Sequence, residues 1–190
     1  DQALATLAPT TSVLLTQLET PSALTAHITG RGREHGMTVI LDPAPAATLP
    51  VEVWANIDIV TPNETEATLI SGIEVTDAES AERAGRWFLD QGVGAAVITL
   101  AGQGSCVVTA EGASVIPPFP VTAVDTTAAG DAYAGYLGAA LANGSSLSDA
   151  VRLATAAGAL TVTKQGASPS LPLRADVDAF LAERESAPVG

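Results

Sequence analysis

Short apolar segments alternate with amphipathic ones along most of the chain. Four short runs, rich in β-branched residues and apolar on both faces, predict buried strands at Ser12–Gln17, Met37–Leu41, Ile57–Thr61 and Ala95–Leu100. The intervening segments have helical spacing and predict helices at Pro21–His35, Asn63–Ser71 and Asp77–Gln91. This alternation predicts an α/β fold with a mostly parallel sheet that helices cover on both faces.

The pattern changes after Leu100. Gly104–Thr109 and Ser114–Ile116 flank the pair Glu111 and Gly112, which predicts a hairpin. Three more helices are expected at Ala129–Ala142, from Leu147 to about Lys164, and at Arg174–Arg184. We find no internal repeat, low-complexity linker or charge block, so we expect residues 1–190 to form one domain.

Composition narrows the classes of function. With 21 acidic and 8 basic residues the net charge is −13, and no basic cluster exists to neutralise nucleic-acid phosphates, so nucleic acid is not an expected partner. No apolar stretch is long enough to cross a bilayer, and no signal-peptide pattern opens the chain. Cys106 cannot form an internal disulfide. We therefore expect a cytoplasmic protein with no membrane partner.

The strongest chemical signal is the string VDTTAAGDAYAG at Val124–Gly135. Small residues at Thr126–Gly130 lead directly into a predicted helix, whose first turn leaves N–H groups free to bind an anion. Asp131 then stands at the mouth of an anion site, where a carboxylate suits proton or metal chemistry. The alternative interpretation is a small-residue turn with an ordinary first-turn acid.

Further candidates follow the predicted strands. Ligands of open parallel sheets bind beyond the carboxyl ends of the strands, here after Gln17, Leu41, Thr61, Leu100 and Val124. The segment TPNETE after the third strand is equally typical of a plain helix cap, and the glycines after the fourth strand equally suit a hairpin.

These segments together resemble the ribokinase family of carbohydrate kinases, the phosphofructokinase-B group. The residues Asp125–Asp131 resemble the C-terminal signature D-T-x-x-A-G-D of that family. Five other segments resemble it in the expected order: Leu14–Glu19, Asp42–Ala46, Thr61–Glu66, Ile98–Ser105 and Lys164–Pro172. The resemblance covers nearly all of the chain and implies a ribokinase-like three-layer α/β/α fold. It also leads us to expect that the family's N-terminal section, with its sugar-contacting loop and lid strands, is missing.

The resemblance implies a site for phosphoryl transfer. Asp131 matches the catalytic base and a sugar contact, and the N–H groups of Ala128, Ala129 and Gly130 match an anion hole. Glu66 matches a residue that organises Mg²⁺ through water, and Glu19 matches a sugar-contacting carboxylate. The implied nucleotide contacts are Asn63, Thr99, Gly102, Gly104, Gly130 and Thr155, the last standing where relatives often have Asn or His.

A potassium site is also implied by the resemblance. Its ligands would be the side chains of Asp125 and Ser170 and the carbonyl groups of Thr127, Thr161, Lys164 and Gly166. The predicted cofactors are therefore ATP, Mg²⁺ and K⁺.

The activity that the resemblance implies is transfer of the γ-phosphoryl group of ATP to the 5-hydroxyl group of ribose. The segment Gln17–Glu19 is one reason to prefer ribose. The alternatives are a kinase for 2-deoxyribose or another pentose, and a nucleotide-binding fragment without turnover. The family's homodimer is expected only with the missing lid. No Cys or further His lies near His27 and His35 in the sequence, so we do not expect a metal site there.

Overall fold

Six strands form a single sheet in the computed structural model, which describes residues 6–185. The strands are β1 (Val13–Thr16), β2 (Thr38–Leu41), β3 (Ile59–Val60), β4 (Ala95–Thr99), β5 (Ser105–Thr109) and β6 (Gly112–Ile116). They lie across the sheet in the order in which they occur along the chain. Strands β1 to β4 are parallel, and β5 and β6 add an antiparallel hairpin. The predicted mostly parallel α/β fold is confirmed.

Helices lie on both faces of this sheet. They are α1 (Ser22–Glu34), α2 (Val51–Trp54), α3 (Glu64–Ser71), α4 (Ala78–Asp90), α5 (Ala129–Ala142), α6 (Leu147–Thr161) and α7 (Arg174–Glu185). Residues of β2 alternate between the two faces: Val39 and Leu41 pack with the α1–α4 layer, whereas Ile40 packs with the α5–α7 layer. Because β2, β3 and β4 are buried on both faces, their sequences are mostly apolar.

Aromatic side chains anchor the core on the α1–α4 face. Trp54 and Phe88 are 2% and 0% exposed, and their ring centroids are 5.5 Å apart with the rings edge to face. Trp87 lies 5.1 Å from Phe88 in the same arrangement. Such contacts stabilise the fold beyond the area they bury, so these residues are structural anchors.

The largest differences from the sequence predictions concern three elements. The strand predicted at Ile57–Thr61 is reduced to Ile59–Val60. The short helix α2 was not predicted, because four residues after Pro50 are too few to show a helical period. Helix α6 ends at Thr161, and the next residues turn away to bond the loop at Val124 and Asp125.

The arrangement leaves β1 at one edge of the sheet. Among residues 6–185 it pairs only with β2, and Leu15 on this strand is 40% exposed. The carboxyl ends of β1 to β4 all point to one edge of the molecule, where the site described below lies. Within the described part of the chain, no helix is both long enough and apolar enough to span a membrane.

Candidate active site

The turn before α5 is held by the carboxylate of Asp125. Its Oδ1 accepts hydrogen bonds from the N–H and the hydroxyl group of Thr127, at 2.9 and 2.7 Å, and its Oδ2 accepts one from the N–H of Gly166 at 2.9 Å. Donation from Gly166 and Thr127 lowers the pKa of Asp125 to about 2. Asp125 therefore stays ionised at neutral pH and joins this turn to the segment after α6.

Ala128 gives the turn its shape. Its φ of 62° lies in the left-handed region, which is unfavourable for a residue with a side chain, and Ala128 provides no side-chain cap for α5. The N–H of Ala129 donates to Thr126 O at 3.3 Å. Within residues 6–185, the described hydrogen bonds give no acceptor to the N–H groups of Gly130 and Asp131. The first turn of α5 thus presents free backbone donors at the positive end of a 14-residue helix.

The exposed Asp131 carboxylate is linked to a buried acid, Asp42, by the side-chain amide group of Gln17. Gln17, just beyond β1, places its Nε2 atom 3.4 Å from Asp131 Oδ1 and 3.3 Å from Asp42 Oδ2. Asp42 follows β2 and is 8% exposed. Burial raises the pKa of Asp42 to about 6; the nearby charges of Glu66 and Asp131 add to the rise, and the hydrogen bond from Gln17 opposes it.

The start of α3 forms the opposite wall. Asn63 caps this helix by accepting the N–H of Glu66 through its side chain at 2.9 Å, and Glu66 Oε2 accepts the N–H of Asn63 at the same distance. This reciprocal pair fixes both side chains. Thr99 is held next to it, since its N–H donates to Pro62 O at 3.0 Å. The ends of β3 and β4 are thereby drawn together.

Two adjoining cavities open at this edge of the sheet, with Asp131 between them. The first, of about 400 Å³, is lined from the β1 side by Leu15, Thr16, Gln17, Glu19, Thr20, Asp42, Asp131 and Ala134. The second, of about 260 Å³, shares Gln17, Glu19, Asp42 and Asp131, and adds Ala44, Thr61, Asn63, Glu66, Thr99, Thr126, Ala128, Ala129, Gly130 and Tyr133. The site therefore has two compartments that share the carboxylates of Glu19, Asp42 and Asp131.

The charge of this site is negative. Among the described residues that line the two cavities, none is Lys or Arg, whereas Glu19, Asp42, Glu66 and Asp131 are acidic. A polyphosphate could bind here only with the backbone donors of α5 and an accompanying cation. In residues 6–185 there is no group of three or more metal-ligating side chains that could hold a metal by itself. This donor set suits a cation such as Mg²⁺, which keeps several waters and shares its coordination with phosphates.

The residues predicted to bind potassium lie close together in the fold. Val162 O accepts the N–H groups of Val124 and Asp125, at 2.7 and 3.2 Å, and Gly166 bonds the Asp125 side chain. Ser170 is fully buried, and its hydroxyl group donates to Ala167 O. The Asp125 turn and the segment 161–170 thus form one loop cluster beside the start of α5.

Three of the predicted nucleotide contacts lie outside the cavities. Gly102 stands in an exposed turn after β4. Gly104 has a φ of 93°, and a Cβ atom there would meet Ile116 O at 2.1 Å, so close packing already explains this glycine. Thr155 lies within α6 and donates to Val151 O.

The sequence interpretation did not assign roles to Gln17 and Asp42. Both follow strands that end at this edge, so the rule that ligands bind beyond strand ends indicated the positions. The side chain of Gln17 donates to Asp42 and to Asp131, and the second bond joins residues 114 positions apart. Only the folded chain brings these residues together.

Similarity to known proteins identifies the family of this chain. The model of the pfkB family carbohydrate kinases matches residues 4–174. The chain belongs to this family. It is 42% identical over 168 residues to the ribokinase of Haemophilus influenzae, an alignment that covers 88% of this chain and 55% of that one. The chain thus spans about half the length of the curated relatives that it matches.

Two further proteins to which the chain is similar differ in the sugar that their names give. The structure of Arabidopsis thaliana ribokinase complexed with ribose and ATP matches with a TM-score of 0.89 and 29% identity, over 95% of this chain and 59% of that one. A deoxyribokinase of Salmonella typhi is 29% identical over 174 residues, which cover 91% of this chain and 57% of that protein.

Proposed function

We propose that this chain provides the nucleotide-binding and catalytic part of an ATP-dependent pentose kinase that converts ribose to ribose 5-phosphate. The observation that carries the proposal is the position of Asp131. Its carboxylate lies at the junction of the two cavities and in the first helical turn, beside the free N–H groups of Gly130 and Asp131. The similarity to ribokinases supports ribose as the acceptor.

The two compartments have different chemical characters that suit the two substrates. The N–H groups at the start of α5 and the small residues Ala128–Gly130 suit the phosphate groups of ATP. The cavity beside β1 adds the hydroxyl groups of Thr16 and Thr20 to the shared Glu19 and Gln17, and these polar groups suit sugar hydroxyl groups. Asp131 would accept the proton of the attacking hydroxyl group, while the backbone donors stabilise the charge on the transferred phosphoryl group.

Two cations are part of the proposal. Mg²⁺, held through water by Glu66 and by the nucleotide phosphates, would neutralise phosphate charge. K⁺ would bind at the loop cluster through the Asp125 and Ser170 side chains and the carbonyl groups of Thr127, Thr161, Lys164 and Gly166. Replacing potassium by sodium at equal ionic strength should lower activity, and equal rates with both ions would contradict this site.

A panel of sugars tests the acceptor. In a coupled assay of ADP release with MgATP, the full-length gene product should act fastest on ribose. A higher kcat/KM for 2-deoxyribose would favour the alternative that the deoxyribokinase relative raises. The absence of turnover with every pentose would refute the proposed function. A cytoplasmic location and a homodimer formed through a lid are proposals that accompany this function.

A further inference from the structure

Gln17 occupies an unusual position between two carboxylates. Its Nε2 atom lies 3.3 Å from Asp42 Oδ2 and 3.4 Å from Asp131 Oδ1. A side-chain amide nitrogen has two hydrogens, so it can donate one to each acid. Both carboxylates border both cavities, and so does Gln17.

The backbone on either side of this amide is fixed. The N–H of Asp42 donates to Thr16 O at 2.9 Å, and the N–H of Leu18 donates to Ala44 O at the same distance. Gln17 is therefore held between two bonds that continue the β1–β2 ladder. A polar group on such a rigid strand end can locate a partner more closely than one on a free loop.

The Asp131 carboxylate has little else to hold it. Asp131 is exposed in the first turn of α5, and within residues 6–185 Gln17 provides the one hydrogen bond described for its side chain. The neighbouring charge of Asp42 would repel it. An amide donor between the two acids offsets this repulsion and limits the directions in which the Asp131 carboxylate can point.

We propose that Gln17 is a positioning residue that, by donating to Asp42 and Asp131 together, holds the Asp131 carboxylate at the junction of the two cavities in the orientation that accepts a proton from the sugar. This role rests on the proposed function. The distances are those of long hydrogen bonds, which commonly shorten when substrates close a site.

The first test removes the donors and keeps the length of the side chain. In the full-length gene product, Gln17→Met should lower kcat for ribose about 10- to 100-fold, the range expected for losing a hydrogen bond to a charged group. The KM for ATP should change by less than about twofold, since the backbone donors of α5 are untouched. Gln91→Met, the same substitution beyond the end of α4, is the matched control and should retain the wild-type kcat.

The second test uses pH. Gln17→Glu has nearly the same shape, but its ionised form adds a third negative charge and donates no hydrogen bond. Protonation restores a donor, so the kcat of Gln17→Glu relative to wild type should rise as pH falls from about 8 to 6. Gln17→Met adds no titrating group, so its ratio to wild type should change less than that of Gln17→Glu over this pH range. A purely structural role for Gln17 would give the two variants the same pH dependence.

A third measurement needs no activity. Carboxyl ¹³C NMR on the full-length gene product should show a higher pKa for Asp42 in Gln17→Met than in wild type, because the opposing hydrogen bond is lost. Gln91→Met should leave the pKa of Asp42 unchanged. An unchanged pKa in Gln17→Met would show that the bridge does not form and would overturn the proposal.

The outcomes separate this proposal from the proposed function. If wild type phosphorylates ribose and Gln17→Met keeps more than half of its kcat, the positioning role is wrong and the pentose kinase stands. If wild type transfers phosphate to no pentose, the proposed function itself fails, and the positioning role that rests on it fails too.

Discussion

At the scale of single residues, Gly130 is the position where folding and binding make different demands. It lies in the first turn of α5, where alanine has a higher helix propensity, and a Cβ atom there would contact no protein atom within 4 Å. Gly130 also lines the smaller cavity. The open space beside its Cα is where the phosphate groups of the proposed nucleotide would lie.

Gly130→Ala should affect nucleotide affinity without an equal effect on folding stability. We expect the free energy of unfolding to stay within about 1 kcal/mol of wild type, because glycine and alanine differ by that amount in a helix. We also expect nucleotide affinity in the full-length gene product to fall at least about tenfold, because the added methyl group stands between the phosphate and the backbone. Calorimetry with MgATP and urea denaturation measure the two effects.

Gly135→Ala is the matched control for this pair. Gly135 lies in the same helix, a Cβ atom there also meets nothing within 4 Å, and it lines neither cavity. Its nucleotide affinity should equal that of wild type. Equal affinities for Gly130→Ala and Gly135→Ala would place the phosphate elsewhere.

Asp42 predicts a pH dependence of stability. Its pKa in the folded protein is about 6, above the ordinary value of 3.8, so the folded state keeps this proton over a pH range in which the unfolded chain has lost it. Between about pH 4 and 6, the contribution of Asp42 to the free energy of unfolding therefore falls as pH rises.

Asp42→Asn lacks this titration. Relative to wild type, its free energy of unfolding should increase as pH rises from 4 to 7, when both proteins are unfolded in urea with a metal chelator present. A difference between the two proteins that is the same at every pH would contradict the buried, proton-retaining state of Asp42.

At the scale of elements, two helices begin with a capping box of the same kind, but the two boxes differ in function. Asn63 and Glu66 cap α3 at the rim of the smaller cavity, whereas Asp77 and Ser80 cap α4 away from it. The first pair combines a structural bond with a carboxylate that faces the proposed nucleotide. The second pair is structural.

Glu66→Gln should affect activity more than stability. A glutamine oxygen can still accept the N–H of Asn63, so α3 should remain capped, with a change in unfolding free energy of less than about 1 kcal/mol. The loss of charge should raise the Mg²⁺ concentration needed for half-maximal activity. Ser80→Ala should lower the free energy of unfolding, since it removes the hydroxyl group of a residue that is only 3% exposed. It should leave the Mg²⁺ dependence of activity unchanged. The assignment of Glu66 fails if its variant keeps the wild-type Mg²⁺ dependence.

The sequence predicted the elements well where the hydrophobic period was long. Strand β4 and helix α5 begin and end within about one residue of expectation, because Ala95–Leu100 is apolar except for Thr99 and Asn143 follows the helix. Helix α2 was missed because it has a single turn. Strand β3 was overestimated because Ile57 and Thr61 are buried without pairing as strand.

The site could be predicted only in part, for a physical reason. Asp131, Glu66 and Asn63 stand in short local strings, and the resemblance of those strings to the ribokinase family implied their roles. The bridge from Asp131 through Gln17 to Asp42 depends on the β1–β2 register and on how α5 packs against β1, and these are tertiary facts. Tertiary packing also explains why glycine stands at position 104 without a nucleotide, because a Cβ atom there would clash with Ile116 O.

At the scale of the whole molecule, the exposed sheet edge at β1 affects the association and the activity that we expect of the chain by itself. Among residues 6–185, β1 pairs with one neighbour and leaves its outer backbone groups unpaired, with Leu15 exposed beside them. Unpaired edges of this kind favour association. The chain also spans 55% of its ribokinase relative.

We therefore expect the 190-residue chain by itself to associate and to phosphorylate ribose at no useful rate. The acceptor cavity is bounded on only one side of β1, so the sugar would not be held in line, and the advantage of positioning, up to about 7–11 kcal/mol, would be largely lost. Gel filtration and the ADP-release assay measure both properties. A monodisperse monomer with rapid ribose-dependent turnover would refute this expectation.

The central claim is that Asp131 is the base that accepts the sugar proton, and Asp131→Asn in the full-length gene product tests it most directly. The substitution keeps the shape of the side chain and can still accept a hydrogen bond from Gln17, but it removes the proton acceptor. We predict that kcat for ribose falls about 10²- to 10⁴-fold while the affinity for MgATP, measured by calorimetry, stays within about twofold. An Asp131→Asn protein that keeps more than half of the wild-type turnover would contradict the account.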